Sequence, residues 1–227
     1  MKLEKITKRP GRPYDDSCGT AHALELVGER WALLVARELM LGPRRFSDLR
    51  AALPGLSANV LTQRLEGLED AGVIRRRRLA PPAGVQVYEL TDWGLELEEA
   101  LKVLGRWAAR SPRHDPTLPL SAVSLMLSLR TMYAPTPGLR DMTVAFELGG
   151  ESYFARIEGG ALTTGRGRPD SADVRLTSTP EAVAGAIYAD MPLPDAAFEV
   201  GDRGVFETFA SLFTLPPKAA QAKPAPP

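Results

Sequence analysis

Residues 44–91 read RRFSDLRAALPGLSANVLTQRLEGLEDAGVIRRRRLAPPAGVQVYELT. Two apolar-periodic segments flank the short turn Pro54-Gly55-Leu56. Phe46 to Leu53 predicts one short helix. Ser57 is placed to cap a second, which runs to about Ala71 with Leu61, Leu65 and Leu68 as its seam and Gly72 as its end. An arginine run follows, Arg75 to Arg78, and then the alternation Val85-Gln86-Val87-Tyr88-Glu89-Leu90. The spacing predicts a hairpin of two strands, with Pro81, Pro82 and Gly84 in the turn between them. Four guanidiniums in a row on a hairpin are held in place, as they are not on a solvated tail.

The neighbouring segments extend this pattern. Ala23, Leu24, Val27, Trp31, Leu34, Val35 and Leu39 recur at helical spacing, with Gly28 as a break between two helices. Thr91 is placed to cap a long helix with Leu95, Leu97, Leu101, Leu104 and Trp107 on its apolar faces. Residues 111–116, with two prolines and mixed charge, predict a linker. A second region begins with a helix over 120–133. Alternation at Met142, Val144, Phe146 and Leu148 predicts a strand, Tyr153 to Ile157 another, and Val174 with Leu176 a further one. Thr179-Pro180-Glu181 opens a helix, and a last helix starts near Asp202. The expected organisation is an arm over 1–14, a mainly α domain over 15–112, an α+β domain over 117–214 and a disordered tail over 215–227. Two domains of roughly 100 residues are each large enough to bury a core.

Two short helices joined by a tight turn and followed by a basic hairpin form a winged helix-turn-helix, whose second helix enters a DNA major groove. With the leucine seam inward, Asn59, Thr62, Gln63 and Glu66 face outward. Asn and Gln pair bidentately with adenine, and threonine meets a base edge or a thymine methyl. Arg64 falls beside the seam and suits a phosphate or an internal ion pair. Arg44, Arg45 and Ser57 lie at the helix starts, where phosphate contacts are expected. Strand alternation splits the arginine run: Arg75 and Arg77 point one way, Arg76 and Arg78 the other. Arg75 and Arg77, with Arg78 near the wing tip, are expected to reach phosphate. The other side faces the domain, where Glu69 or Asp70 could meet it.

Charge supports this placement. The formal net charge is zero, but it is +3 through Pro116 and −3 beyond. Between Arg44 and Arg78 eight arginines face four acids, and such local fields steer polyanions. Cys18 is the single cysteine, which excludes an internal disulfide and fits a reducing compartment. The N-terminus has no apolar stretch of a secretory signal, and no run of about 18 apolar residues would span a membrane. A cytoplasmic location is expected, without cofactor or metal.

The stretch from Cys18 through Arg77 resembles the HxlR-type family of winged-helix transcriptional regulators. The landmarks are Cys18, Arg30-Trp31, Gly42-Pro43-Arg44-Arg45-Phe46-Ser47-Asp48-Leu49, the Leu61, Arg64-Leu65, Leu68 and Gly72 series, and Tyr88-Glu89-Leu90-Thr91. The sequence departs from the common pattern at Gly19, where many relatives carry proline. The resemblance covers about residues 15 to 110. It implies a homodimer on double-stranded DNA at a pseudo-palindromic operator, repression by default, and dimer contacts through the first helix and the helix after Thr91. It also offers Cys18 as an oxidant sensor, although Asp15 and Asp16 next door would raise its pKa.

Residues 120 to 213 resemble an SCP2-like (sterol carrier protein) domain. The features are the strand–strand–turn of 144–160, the strand leading to Thr179-Pro180, and Gly201 before a closing helix. That resemblance implies an apolar cavity for a hydrophobic effector, with Met126, Leu129, Ile187 and Phe209 as candidate lining; each also fits plain core. Arg166-Gly167-Arg168-Pro169 spells the core of an AT-hook but is placed as a turn between strands. His22 and His114 have no ligand cluster beside them, so neither zinc nor a catalytic triad is supported. Two rival readings are a lipid or small-molecule carrier whose winged helix binds protein, and an enzyme, a small-molecule methyltransferase, whose N-terminal winged helix serves dimerisation. The second lacks a glycine-rich cofactor loop.

Overall fold

A computed structural model describes residues 14–220. The arm expected over the first 14 residues, including the basic stretch 8–12, lies outside the described residues except for Tyr14. The chain divides into two compact units. The first comprises the residues up to Leu39 together with Pro43–Leu95, and the second comprises Met40–Gly42 and Glu96 onward.

The first unit contains α1 (Gly19–Val27), α2 (Ala32–Leu39), α3 (Phe46–Ala52), α4 (Ala58–Asp70), the hairpin β1 (Ile74–Arg78) and β2 (Gln86–Leu90), and α5 (Asp92–Leu95). Ser57 caps α4, its Oγ accepting the Val60 N–H at 3.3 Å. Leu61, Leu65 and Leu68 are buried as the periodicity predicts, and they share the core with Val35, Leu39, Leu49, Leu53, Ile74 and Val87. Removing one of these leucine side chains costs about 2–5 kcal/mol in a packed core. The hairpin is antiparallel with Ile74 opposite Leu90 and Arg75 opposite Glu89. Its base is tied to the helices by Val73, whose N–H donates to the Leu68 carbonyl at 2.9 Å and whose carbonyl accepts from the Thr91 N–H at 3.0 Å.

The helix expected after Thr91 is interrupted. Thr91 caps the short α5, its Oγ1 accepting the Gly94 N–H at 3.0 Å, and α6 (Leu97–Ala109) follows after Glu96. The boundary between the units falls here rather than at the proline-bearing segment 111–116. The reason is that α6 makes its contacts with α7 (Ala122–Met132): the Glu98 carboxylate pairs with Arg130 at 2.7 Å, and Arg106 donates to the Thr131 carbonyl.

The second unit holds a five-stranded sheet with strand order β5-β4-β3-β6-β7, formed by β3 (Met142–Leu148), β4 (Glu151–Glu158), β5 (Ala161–Arg166), β6 (Val174–Ser178) and β7 (Phe198–Val200). Only β3 and β6 run parallel. Between them the chain forms β4, β5 and a loop, and α8 (Pro180–Tyr188) and α9 (Arg203–Ala210) follow β6. Thr179 and Asp202 cap these helices as their positions suggest. At Gly201, φ is +74° and an added Cβ would lie 2.2 Å from the Asp173 carbonyl oxygen, so only glycine fits. The sequence AT-hook resolves into the end of β5 at Arg166 and a turn through Gly167. Of the tail, residues 221–227 lie outside the described residues. Residues 215–220 form no helix or strand, yet they are bonded to the end of α6: the Ala219 N–H donates to the Arg110 carbonyl at 2.7 Å.

Candidate nucleic-acid interface

In the first unit, α4 presents Asn59, Thr62, Gln63 and Glu66 to solvent. The Thr62 hydroxyl donates to the Ala58 carbonyl at 3.0 Å. The Asn59 and Gln63 side-chain amides are exposed and carry no hydrogen bond among the described residues. Ser57 is exposed but its Oγ serves the cap. Arg64 takes the ion-pair alternative, its guanidinium 3.0 Å from the Glu29 carboxylate with the side chain mostly covered.

Arg44 departs from expectation. It is buried, and its backbone pairs with Tyr88 of β2 in both directions, at 2.9 and 2.8 Å. That bridge fastens the start of α3 to the wing, and it takes Arg44 out of the set of side chains that meet a phosphate at the surface. Arg45 is exposed, with its N–H donating to the Asp48 carboxylate at 3.0 Å at the start of α3.

The wing arginines alternate as the strand period requires, but both faces find carboxylates. Arg75 and Arg77 reach across to Glu89 at 2.8 and 2.7 Å, while both guanidiniums stay about half exposed. Arg76 meets Glu69 through its Nε at 2.7 Å. Arg78 donates to the Gly84 carbonyl at 2.8 Å near the turn. The four arginines therefore carry two positive charges beyond their two carboxylate partners. A shallow cleft of about 350 Å³ lined by Arg76, Arg77, Arg78, Gly84 and Gln86 opens beside them.

Glu89 was not singled out from the sequence, although the register could have found it: a pair beginning Ile74–Leu90 sets Glu89 opposite Arg75. Burial pushes the Glu89 carboxyl up, but hydrogen bonds from Arg77 and Arg75 and their charges outweigh it, and its pKa lies below the usual carboxylate range. Arg76 holds Glu69 below that range too, chiefly by its side-chain hydrogen bond. A carboxyl whose folded pKa is depressed stabilises fully above its unfolded value, and that stability is lost as pH falls through the folded value. The wing should thus stay locked at neutral pH and loosen only in acid below about pH 4. Glu89→Gln is expected to cost roughly 1–3 kcal/mol, less than a fully buried pair because the guanidiniums are partly solvated. It is also expected to reduce the acid sensitivity of melting between about pH 5 and 3, Glu69 keeping its own share. Melting curves with the same acid dependence as the parent would contradict the clamp.

Elsewhere, Cys18 is exposed at the N-cap of α1. Its pKa is lowered, by backbone N–H groups of Thr20 and Ala21 and then by the Thr20 side chain. The rise expected from Asp15 and Asp16 is absent: desolvation is the one raising influence, and the hydrogen bonds at the helix start outweigh it. The four residues expected to line an apolar cavity are core instead. Met126, Leu129 and Phe209 have no exposed surface and Ile187 almost none. Phe209 is enclosed by the rings of Phe146, Phe206 and Phe213. In contrast, α6 has no buried residue; Val103 and Trp107 are 67% and 71% exposed. Among the described residues no group of acids, histidines or cysteines could hold a metal, and no helix is long and apolar enough to cross a membrane.

The comparisons fall on this first unit and α6. Residues 26–115 match the family described as HxlR-like helix-turn-helix. The uncharacterized HTH-type transcriptional regulator YvaP of Bacillus subtilis is 40% identical over 87 residues, which are 38% of this chain and 80% of that protein. The HTH-type transcriptional regulator YodB of the same organism is 33% identical over 86 residues, 38% of this chain and 77% of YodB. A solved structure of the reduced form of YodB is similar at a TM-score of 0.39 and 29% identity, covering 44% of this chain and all of that one. These relatives are transcriptional regulators and not enzymes. With the winged helix, the outward amides of α4 and the basic hairpin in place, the chain belongs to the HxlR-like helix-turn-helix family of DNA-binding transcriptional regulators.

Proposed function

We propose that this protein represses transcription as a homodimer on a pseudo-palindromic operator, and that its second unit is an SCP2-like effector domain that adjusts DNA affinity. The observation that carries the DNA reading is the joint presentation of Asn59 and Gln63 on α4 with the uncancelled arginines of the wing. The first can read adenine edges and the second can neutralise phosphate. Dimerisation is supported by α6, since an exposed run of Val103, Leu104 and Trp107 is too apolar for a helix face left to water. The effector reading is supported by the order of the second unit: β3–β4 with its tight turn, β6 leading into the Thr179-capped α8, and Gly201 before α9. An effector shifts DNA affinity only if it binds the competent and incompetent dimers differently. Cys18, with its lowered pKa, remains the candidate for an oxidant response, which in a chain with one cysteine would run through an intersubunit or mixed disulfide.

A mobility-shift titration on DNA from beside the protein's own gene tests this reading. Affinity should fall steeply between 50 and 200 mM salt, by orders of magnitude when several phosphates are neutralised. Gln63→Ala should relax sequence preference by roughly 1–3 kcal/mol at one base position. Arg77→Ala should weaken all sequences about equally, and it should lower the salt slope by less than one because Glu89 already partly neutralises its guanidinium. Salt-independent binding, or equal loss of specificity from both variants, would overturn the assignment of roles.

A further inference from the structure

A cleft of about 730 Å³ lies in the second unit between α6 and α7. Glu99, Lys102, Val103, Arg106 and Trp107 of α6, with Arg110 just after it, line one side, Arg130, Thr131 and Tyr133 another, and Pro216-Pro217 form the far wall. The volume lies in the range of small-molecule sites. The far wall is held in place by the chain end: Arg110 donates through Nε to the Pro217 carbonyl at 3.2 Å, and Lys218 donates to the carbonyls of Ala109 and Ser111 at 3.0 and 3.2 Å. Lysine at the last carbonyls of a helix is favourable in its own right, because it satisfies orphan acceptors at the negative end of the dipole.

The charges in this cleft cancel unevenly. Lys102 pairs with Glu99 at 2.8 Å, and Arg130 pairs with Glu98 at 2.7 Å. Arg106 and Arg110 form no ion pair among the described residues. Each spends one recorded side-chain hydrogen bond on a backbone carbonyl, Thr131 for Arg106 and Pro217 for Arg110. A guanidinium has five N–H donors in a planar fork, so donors remain on both, and the two side chains stand one helical turn apart on α6. Around them the surfaces are flat and apolar: the Trp107 indole, the Tyr133 ring and two proline rings.

We propose that this cleft binds an aromatic carboxylate, with its ring against Trp107, Tyr133 and the proline pair and its carboxylate on Arg106 and Arg110. An uncharged lipid would desolvate two guanidiniums without replacing their hydrogen bonds to water. A small inorganic anion would leave the aromatic surfaces unused. A planar anion satisfies both, through the bidentate geometry that guanidinium and carboxylate share and the offset contact that rings prefer. The ligand also bridges α6, the candidate dimer helix, to the chain end and α7, so its occupancy bears on the element through which two copies would meet. That last step rests on the regulator reading above, whereas binding does not.

The test uses the full chain with 1-naphthoate as probe and 1-naphthylmethanol as its neutral counterpart, followed by calorimetry. The carboxylate should saturate at millimolar concentration or below, and the alcohol should bind about tenfold or more weakly, the worth of a charge-assisted hydrogen bond. Arg106→Gln and Arg110→Gln, tested singly, should each weaken the carboxylate about tenfold and leave the alcohol unchanged. Equal affinity for acid and alcohol in the parent protein overturns the proposal without any variant. Absence of saturation by about 5 mM does so as well. Binding seen only when the protein is diluted into monomers would assign the cleft to contact between copies, and also overturns it. Mobility shifts with and without naphthoate are read separately. Failure of all DNA binding would remove the regulator reading and leave the site standing, while unchanged DNA affinity with intact probe binding would remove only the effector role.

Discussion

Gly94→Ala is expected to lower the stability of the first unit by about 3 kcal/mol or more. Gly94 is buried in α5, and an added Cβ would stand 2.1 Å from the Val73 carbonyl oxygen and 3.1 Å from Leu90 Cδ2. The oxygen cannot withdraw cheaply. It accepts from the Thr91 N–H, the Thr91 hydroxyl donates to the adjacent Gly72 carbonyl at 2.8 Å, and Val73 itself is anchored through its N–H to Leu68. Any shift breaks hydrogen bonds among α4, β1 and α5, and overpacking adds its own strain. In a unit of this size the melting temperature should drop by at least about 10 °C. The comparison is Gly67→Ala, an exposed site within α4 with nothing within 4 Å of the new Cβ. It should raise stability by about 1 kcal/mol, since alanine is the better helix former. Scanning calorimetry on the two variants decides the matter: a Gly94→Ala transition within about 2 °C of the parent would mean that the junction is looser than described.

The same junction shows what could be read from sequence and what could not. Elements set by local rules were legible. Leu61, Leu65 and Leu68 reported their face through the 3.6-residue period, Ser57 and Thr179 announced helix starts, and alternation separated Arg75 and Arg77 from Arg76 and Arg78. Arg76 did find Glu69, as the side assignment allowed. What failed depended on partners distant in sequence. Arg44 lies in a basic run, and nothing local says that its backbone will bridge to Tyr88. Glu89 sits mid-strand, and its role emerges only when two guanidiniums converge on it. The short strands β5 and β7 were missed because Ala161–Arg166 and Phe198–Val200 lack clean alternation; the sheet neighbours, not propensity, make them strands. Met126, Leu129, Ile187 and Phe209 illustrate a different limit. An apolar residue reads the same whether it lines a cavity or fills one, and these four are packed. The cleft between α6 and α7 sets Arg106, Arg110, Pro216 and Pro217 beside Trp107 and Tyr133, and a search for apolar lining passes over the arginines and prolines.

The double variant Arg45→Gln, Arg78→Gln is expected to produce the largest loss of DNA affinity while leaving the fold intact. These two guanidiniums, together with Arg50 of α3, which is exposed and has no carboxylate partner among the described residues, differ from the rest of the basic set. Arg44 is buried, Arg64 is paired with Glu29, Arg76 with Glu69, and Arg75 and Arg77 share Glu89. Arg45 and Arg78 are exposed and have no carboxylate partner among the described residues; Arg78 donates only to the Gly84 carbonyl. They stand at different points along the wing, since the Arg44–Tyr88 bridge brings the start of α3 beside the middle of β2 and Arg78 stands where β1 enters the turn. A phosphate contact made by an already neutralised arginine releases little counterion charge, so the salt dependence should concentrate in the free pair. Each lost contact lowers the slope of log affinity against log salt by about 0.9. On the proposed dimer, four contacts disappear. The slope should fall by roughly three and a half, and affinity near 150 mM salt by on the order of 10³-fold. Arg75→Gln, Arg77→Gln, which removes as many arginines but strands Glu89 as an uncompensated acid, should instead destabilise the wing as well as weaken binding. Equal salt slopes for the two double variants, with parent-like melting of both, would show that the carboxylate pairing does not govern which arginines meet DNA.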